Sequence, residues 1–143
     1  MRTRRITATA LALTAAATTA TAVTAPTAAS AAGTTIYTLS CSRPGVSGTA
    51  YISVTYTDPG WKISSDLWIS DTEPDGHHAA IQSYAHYSGG EYRSPWYHVY
   101  GNGTTKLFRT SGTTPLRPYA IWMRAYLYEG GDRLQGCTTM KSI

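Results

Sequence analysis

Tyr119-Ala120-Ile121-Trp122-Met123-Arg124-Ala125-Tyr126-Leu127-Tyr128 is the stretch on which the fold is decided. Tyr119, Ile121, Met123, Ala125 and Leu127 fall on one parity, and Ala120, Trp122, Arg124, Tyr126 and Tyr128 fall on the other. Side chains of an extended strand point alternately to its two faces, so a period of two separates these sets, whereas a period of 3.6 would mix them. The first set is expected to face a core and the second to face away from it.

The same period recurs outward from this segment. Downstream, Gly130-Gly131-Asp132 is a turn into a last strand around Leu134 to Ser142. Upstream, Ser111 to Pro118 reads as a loop with two prolines, preceded by Thr104 to Thr110 and Trp96 to Gly101 joined at Asn102-Gly103, a hairpin turn signal. Asn102-Gly103-Thr104 is also a glycosylation sequon, but the turn accounts for it. Nearer the start, Trp61, Ile63, Leu67 and Ile69 share one side of Trp61 to Ser70, with Trp68 on the polar side. Ala50, Ile52, Val54 and Tyr56 share one side of Thr49 to Thr57, and Thr34 to Cys41 is rich in β-formers. Pro-Gly turns at Ser42 to Gly48 and Asp58-Pro59-Gly60 separate these segments. About eight short strands without crossover helices predict an all-β fold, an antiparallel β-sandwich of jelly-roll type, with a small closed barrel as the alternative.

Composition says where such a domain works. Met1 to Arg5 carries three arginines, an Ala, Thr and Leu run follows to Ala25, and small residues end at Ala29-Ser30-Ala31. This pattern predicts a secretory signal peptide over residues 1–31, leaving a single domain over 32–143 that is secreted and extracellular. No further run approaches the roughly 20 apolar residues of a membrane span. With the three leader arginines removed, nine basic residues face eight acidic ones. That balance gives nucleic acid no electrostatic basis as a partner. Cys41 and Cys137 are the two cysteines, and in an oxidising setting the expected state is a disulfide tying the first strand to the last.

The chemistry-bearing residues concentrate between Leu67 and Phe108, which holds all four histidines. Asp71, Glu73 and Asp75 precede Gly76 at alternate positions, as at the start of a calcium loop, but Gln82 stands where that loop needs a glutamate, so the preferred reading is an acidic turn. His77 and His78 point to opposite faces of a strand, and His78 and His86 are about 26 Å apart along one, so zinc is not favoured and no cofactor is expected. Folding Ala79 to Ser88 against Ser94 to Gly101 about Glu91 places Tyr84 opposite His98, His86 opposite Trp96 and Gln82 opposite Tyr100. Those six residues then share one face, and Ile81, Ser83, Ala85, Tyr97 and Val99 share the other. A ladder of rings and polar tips suits stacking against a sugar. Such rings also serve as ordinary cross-strand packing.

Three functions follow as expectations. The first is a monomeric, non-catalytic binding domain for a polysaccharide or an extracellular protein, using Gln82, Tyr84, His86, Trp96, His98 and Tyr100. The second is an inhibitor of an extracellular hydrolase acting through Ser111 to Pro118. The third is a small nuclease or glycoside hydrolase built on Glu91 and His98. The Ala- and Thr-rich leader, followed by a Trp-containing strand running into Asp71-Thr72 and Asp75-Gly76-His77, resembles small secreted β-proteins of actinobacteria. That resemblance implies export and a β fold, and no assigned activity.

Overall fold

The computed structural model describes residues 33–143, and the export signal expected over residues 1–31 lies outside them. Nine strands follow in order: β1 (Thr34–Arg43), β2 (Val46–Tyr56), β3 (Trp61–Asp71), β4 (His78–Tyr87), β5 (Gly90–Arg93), β6 (Tyr97–Tyr100), β7 (Thr105–Thr114), β8 (Pro118–Glu129) and β9 (Asp132–Ser142). They form two antiparallel sheets packed face to face, the expected sandwich. The first sheet has the order β1-β2-β3-β7. In the second, β4 pairs with β8 and β8 with β9, while β5 and β6 lie in turn along the other edge of β4. No helix among the described residues is long and apolar enough to cross a membrane.

Most of the core lies at positions that alternation assigns inward. Ala50, Ile52 and Val54 of β2, Ile63, Leu67 and Ile69 of β3, Ile81 and Ala85 of β4, Val99 of β6, and Ile121, Met123 and Ala125 of β8 are all buried between the sheets. One polar contact crosses this layer, from the Ser83 hydroxyl to that of Ser65 at 3.2 Å. Sharing a hydrogen bond spares both hydroxyls the penalty of dry burial.

Both long seams between the sheets are fastened by side chains. At one, Cys41 of β1 and Cys137 of β9 form the expected disulfide, with Cα atoms 6.0 Å apart. Beside it Thr139 donates to the Ser40 carbonyl at 3.0 Å, and Gln135 to the Pro44 carbonyl at 3.1 Å. At the other seam, Tyr97 of β6 stacks on Phe108 of β7 with centroids 4.8 Å apart. Tyr92 of β5 reaches over Gly112 of β7 to within 3.0 Å of the Thr110 hydroxyl. A Cβ at Gly112 would run into the Tyr92 ring, so this position requires glycine.

Four expectations need correction. Asn102-Gly103 does not close a hairpin: β6 belongs to the second sheet and β7 to the first, and the turn crosses between them. It is anchored on Asp71, whose carbonyl accepts from Gly103 N at 2.8 Å and whose N–H donates to the Thr104 carbonyl at 3.1 Å. Ser111 to Thr114 are not loop but the end of β7, because β3 runs on to Trp61 and pairs with them. Tyr119 does not face the core. The β4–β8 register shifts between His86 and Tyr87, and the bulge turns Tyr119 outward, where it is 57 % exposed. Finally, the segment folded back on β4 is two strands, because Pro95 cannot donate to a ladder.

Candidate functional site

The two outer faces of the sandwich differ in chemistry. On the first sheet, β2 and β3 present Thr49, Tyr51, Ser53, Thr55, Lys62, Ser64, Asp66, Trp68 and Ser70, mostly small and polar. Its shallow depression, lined by Ser64, Asp66, Arg109, Thr110 and Ser111, holds a guanidinium already engaged by Asp66 at 3.5 Å. On the second sheet, β4 presents His78, Ala80, Gln82, Tyr84 and His86, and β8 presents Ala120, Trp122, Arg124, Tyr126 and Tyr128 directly opposite. Rings and guanidinium groups replace hydroxyls there.

All six residues expected on one face do lie on this outer face, but not in the expected pairs. The chain reverses at Ser88-Gly89, where Gly89 adopts φ +91°, rather than around Glu91. Tyr84 therefore lies opposite Arg93, and His86 opposite Glu91. Beyond β5, Pro95 and Trp96 form an extra-residue step beside Gln82, after which His98 lies opposite Ala80 and Tyr100 opposite His78. The net displacement of β6 from the expected register is an even number of residues, so pairs changed while faces did not.

The face is a packed layer. At its centre the Tyr84 ring lies parallel to Trp122, with centroids 5.6 Å apart and planes 9° apart, and is only 3 % exposed. Arg124 sits over the same ring at 4.6 Å and Arg93 at 5.4 Å. At one end His86 meets Trp122 and Tyr119, and its Nε2 lies 3.6 Å from the Glu91 carboxylate, which also pairs with Arg93. At the other end Trp96 meets Tyr126 and Tyr128 edge-on, and Arg133 covers Tyr126 at 4.7 Å. The Tyr128 hydroxyl beside Arg133 raises the guanidinium's pKa further above its already high value. Tyr100, 64 % exposed, stacks on His78 at 4.5 Å.

Several polar atoms in this layer are buried without a partner. Gln82 Nε2 donates to the Ser94 carbonyl at 2.8 Å, which leaves Oε1 unbonded. Trp122 Nε1, Arg124 Nε and His98 Nδ1 are likewise buried and unbonded among the described residues. Native structures rarely leave such atoms unmatched, and each costs about 1–3 kcal/mol. They are concentrated on one face of the sandwich. Trp122 and Arg124 were legible as outward residues of their strand. Their membership of the site was not, because it depends on the distant pairing of β4 with β8, which sets Trp122 opposite Tyr84 and Arg124 opposite Gln82.

Glu91 and His98 do not form a catalytic pair. Their partners on β4, His86 and Ala80, are six residues and so about 20 Å apart. Asp71, Glu73 and Asp75 do not converge either. Asp71 is buried and its carboxylate accepts from Glu73 N at 3.4 Å, whereas Asp75 turns to His77, accepting from its backbone N–H at 3.0 Å and pairing with its ring at 2.8 Å. The His77 backbone N–H, then its ring, hold the Asp75 carboxyl below its usual range. No group of three or more acidic, His or Cys side chains among the described residues could hold a metal. The segment expected to act as an inhibitory loop shrinks to Pro115, Leu116 and Arg117, with Arg117 folded over Trp61 at 5.6 Å.

His78 gives the layer a pH response. Burial, and then the neighbouring His98, lower its pKa below 6.5, with His77 adding to this and Asp71 opposing it. The unfolded chain thus takes up a proton first as pH falls. Stability is complete above about pH 6.5 and declines as pH drops from there through the folded-state value. His78→Phe, which keeps a ring between Tyr100 and Tyr128, is expected to lose less stability than the wild type between about pH 8 and pH 5, as read from denaturant midpoints. Equal losses would show that His78 does not carry the response. Neither a protein-family model nor a curated protein matches this chain.

Proposed function

We propose that the protein is a secreted, non-catalytic binding domain whose ligand is a polysaccharide laid across the outer face of the second sheet. The observation that carries this reading is the contrast between the two outer faces. One is hydroxyl-rich, and the other is a ring-and-guanidinium layer with buried polar atoms unmatched at Gln82, His98, Trp122 and Arg124. Sugar rings have apolar faces that stack on aromatic side chains and hydroxyls that need hydrogen-bond partners beside them. The described residues offer both along the length of β4 and β8. Export is supported by the leader pattern and by the Cys41–Cys137 bridge, which suits an oxidising compartment.

The test uses rings that are exposed enough to remove without unfolding the layer. Tyr100 and Tyr119 stand at opposite ends of the face, 64 % and 57 % exposed, and Trp68 stands on the other sheet at 42 %. The double variant Tyr100→Ala/Tyr119→Ala is expected to bind roughly tenfold more weakly in affinity electrophoresis through gels cast with soluble polysaccharides, about 1.4 kcal/mol. Trp68→Ala should migrate like the wild type. Equal retardation of all three proteins in every gel, or a loss confined to Trp68→Ala, would remove this face from the function.

A further inference from the structure

The charges of the second sheet's outer face narrow the ligand class. Three guanidinium groups lie on it, those of Arg93, Arg124 and Arg133. Arg93 is neutralised by Glu91, and on the opposite side of the molecule Arg109 is matched by Asp66. Arg124 and Arg133 take part in no ion pair among the described residues. Carboxylates occur only at the ends of the face, Glu91 at one and Asp75 with Glu129 around His77 at the other. The middle of a face read as a glycan platform therefore carries an unpaired cation, Arg124.

Resting on that reading, we propose that the face selects a uronic-acid polysaccharide and that Arg124 takes the sugar carboxylate. The Arg124 guanidinium carbon sits over the Tyr84 ring, 4.6 Å from its centroid, and this contact restrains the side chain before any ligand arrives, which reduces the ordering cost of binding. Its Nε–H has no partner, and the indole N–H of Trp122, two residues away on the same face of β8, has none either. Both groups can only donate, as a carboxylate requires. Directly across the strand pair, Gln82 Oε1 can only accept, and it is fixed in that role because its amide nitrogen is tied to Ser94. Those three atoms are themselves closed to solvent, so a ligand meets the part of the Arg124 guanidinium that the layer leaves open, and a carboxylate is the acceptor-only group that matches an unpaired guanidinium. Nucleic acid is disfavoured by the near balance of nine basic and eight acidic residues outside the leader.

Polygalacturonate and its methyl ester differ in charge and little in shape, and they form the decisive comparison by titration calorimetry on the folded domain. The wild type is expected to bind polygalacturonate at least about tenfold more tightly than the ester, with an advantage that shrinks as salt is raised. Arg124→Gln is expected to bind both forms alike, at the wild type's affinity for the ester, and Arg109→Gln to keep the full preference. Arg124→Lys, which keeps the charge and loses the fork, should retain part of it. Equal wild-type affinity for the two polymers overturns acid selection while the glycan reading stands. Binding of neither polymer, nor of any neutral polysaccharide, overturns both. Tighter binding of a sulfated polysaccharide or of single-stranded DNA than of polygalacturonate, lost in Arg124→Gln, overturns the choice of carboxylate. The wild-type comparison decides the matter even if an Arg124 variant fails to fold.

Discussion

With Cys41 and Cys137 both replaced by alanine, the domain is expected to lose about 2–5 kcal/mol of unfolding free energy, on the order of 10–20 °C in melting temperature. The bridge joins residues 96 positions apart, so its removal frees nearly the whole described chain in the unfolded state. It also acts where the backbone gives least support. β1 and β9 are edge strands, each hydrogen-bonded to one neighbour only, and they face each other across the seam between the sheets. Without the bridge, the side-chain bonds of Thr139 to the Ser40 carbonyl of β1 and of Gln135 to the Pro44 carbonyl in the turn after it hold that seam together with the packing beneath it. Denaturant melts of the double variant, and of the wild type with and without reductant, measure the effect. A loss below about 1 kcal/mol would mean that packing and side-chain hydrogen bonds hold the seam without the bridge.

The inner faces of the sandwich were legible because burial enforces alternation, and any misregister by one residue would drive Ile81, Val99 or Met123 into water. Nothing comparable enforces the choice of turn. Ser88-Gly89-Gly90-Glu91 offers more than one place to reverse, and the sequence does not show that Gly89 takes the positive φ. Hence the face containing Tyr84, His86, His98 and Tyr100 was readable, while its partners were not. The outward turn of Tyr119 was hidden for a related reason: a bulge breaks the period of two without leaving a residue type that announces it. Which strands pair at a distance is a third kind of information. Alternation put Trp122 and Arg124 on the outward side of their strand, but only the placement of β8 against β4 brings them beside Tyr84 and Gln82. The question whether this face is core or surface has a mixed answer. It lies outside the sheets, yet Gln82 and Tyr84 are as buried as core residues because the neighbouring rings close over them.

That enclosure has an energetic consequence at Tyr84. Tyr84→Ala is expected to cost about 3–5 kcal/mol, the range for removing a large buried ring, although the residue lies on an outer face. Its ring supports Trp122 on one plane, meets His86 edge-on at 5.3 Å, and lies under the guanidinium groups of Arg93 and Arg124. Its removal strips contacts from four side chains at once and leaves a cavity that the flat backbone of β4 cannot fill. Tyr84→Phe keeps the ring and is expected to stay within about 1 kcal/mol of the wild type, since the hydroxyl makes no hydrogen bond among the described residues. Tyr100→Ala, at the exposed rim, should likewise change stability by less than about 1 kcal/mol. Chemical denaturation of the three variants therefore sorts the face into a buried foundation and an exposed contact surface. If Tyr84→Ala proved as mild as Tyr100→Ala, the rings would not be packed as a layer, and the guanidinium groups of Arg93 and Arg124 would lack a rigid seat.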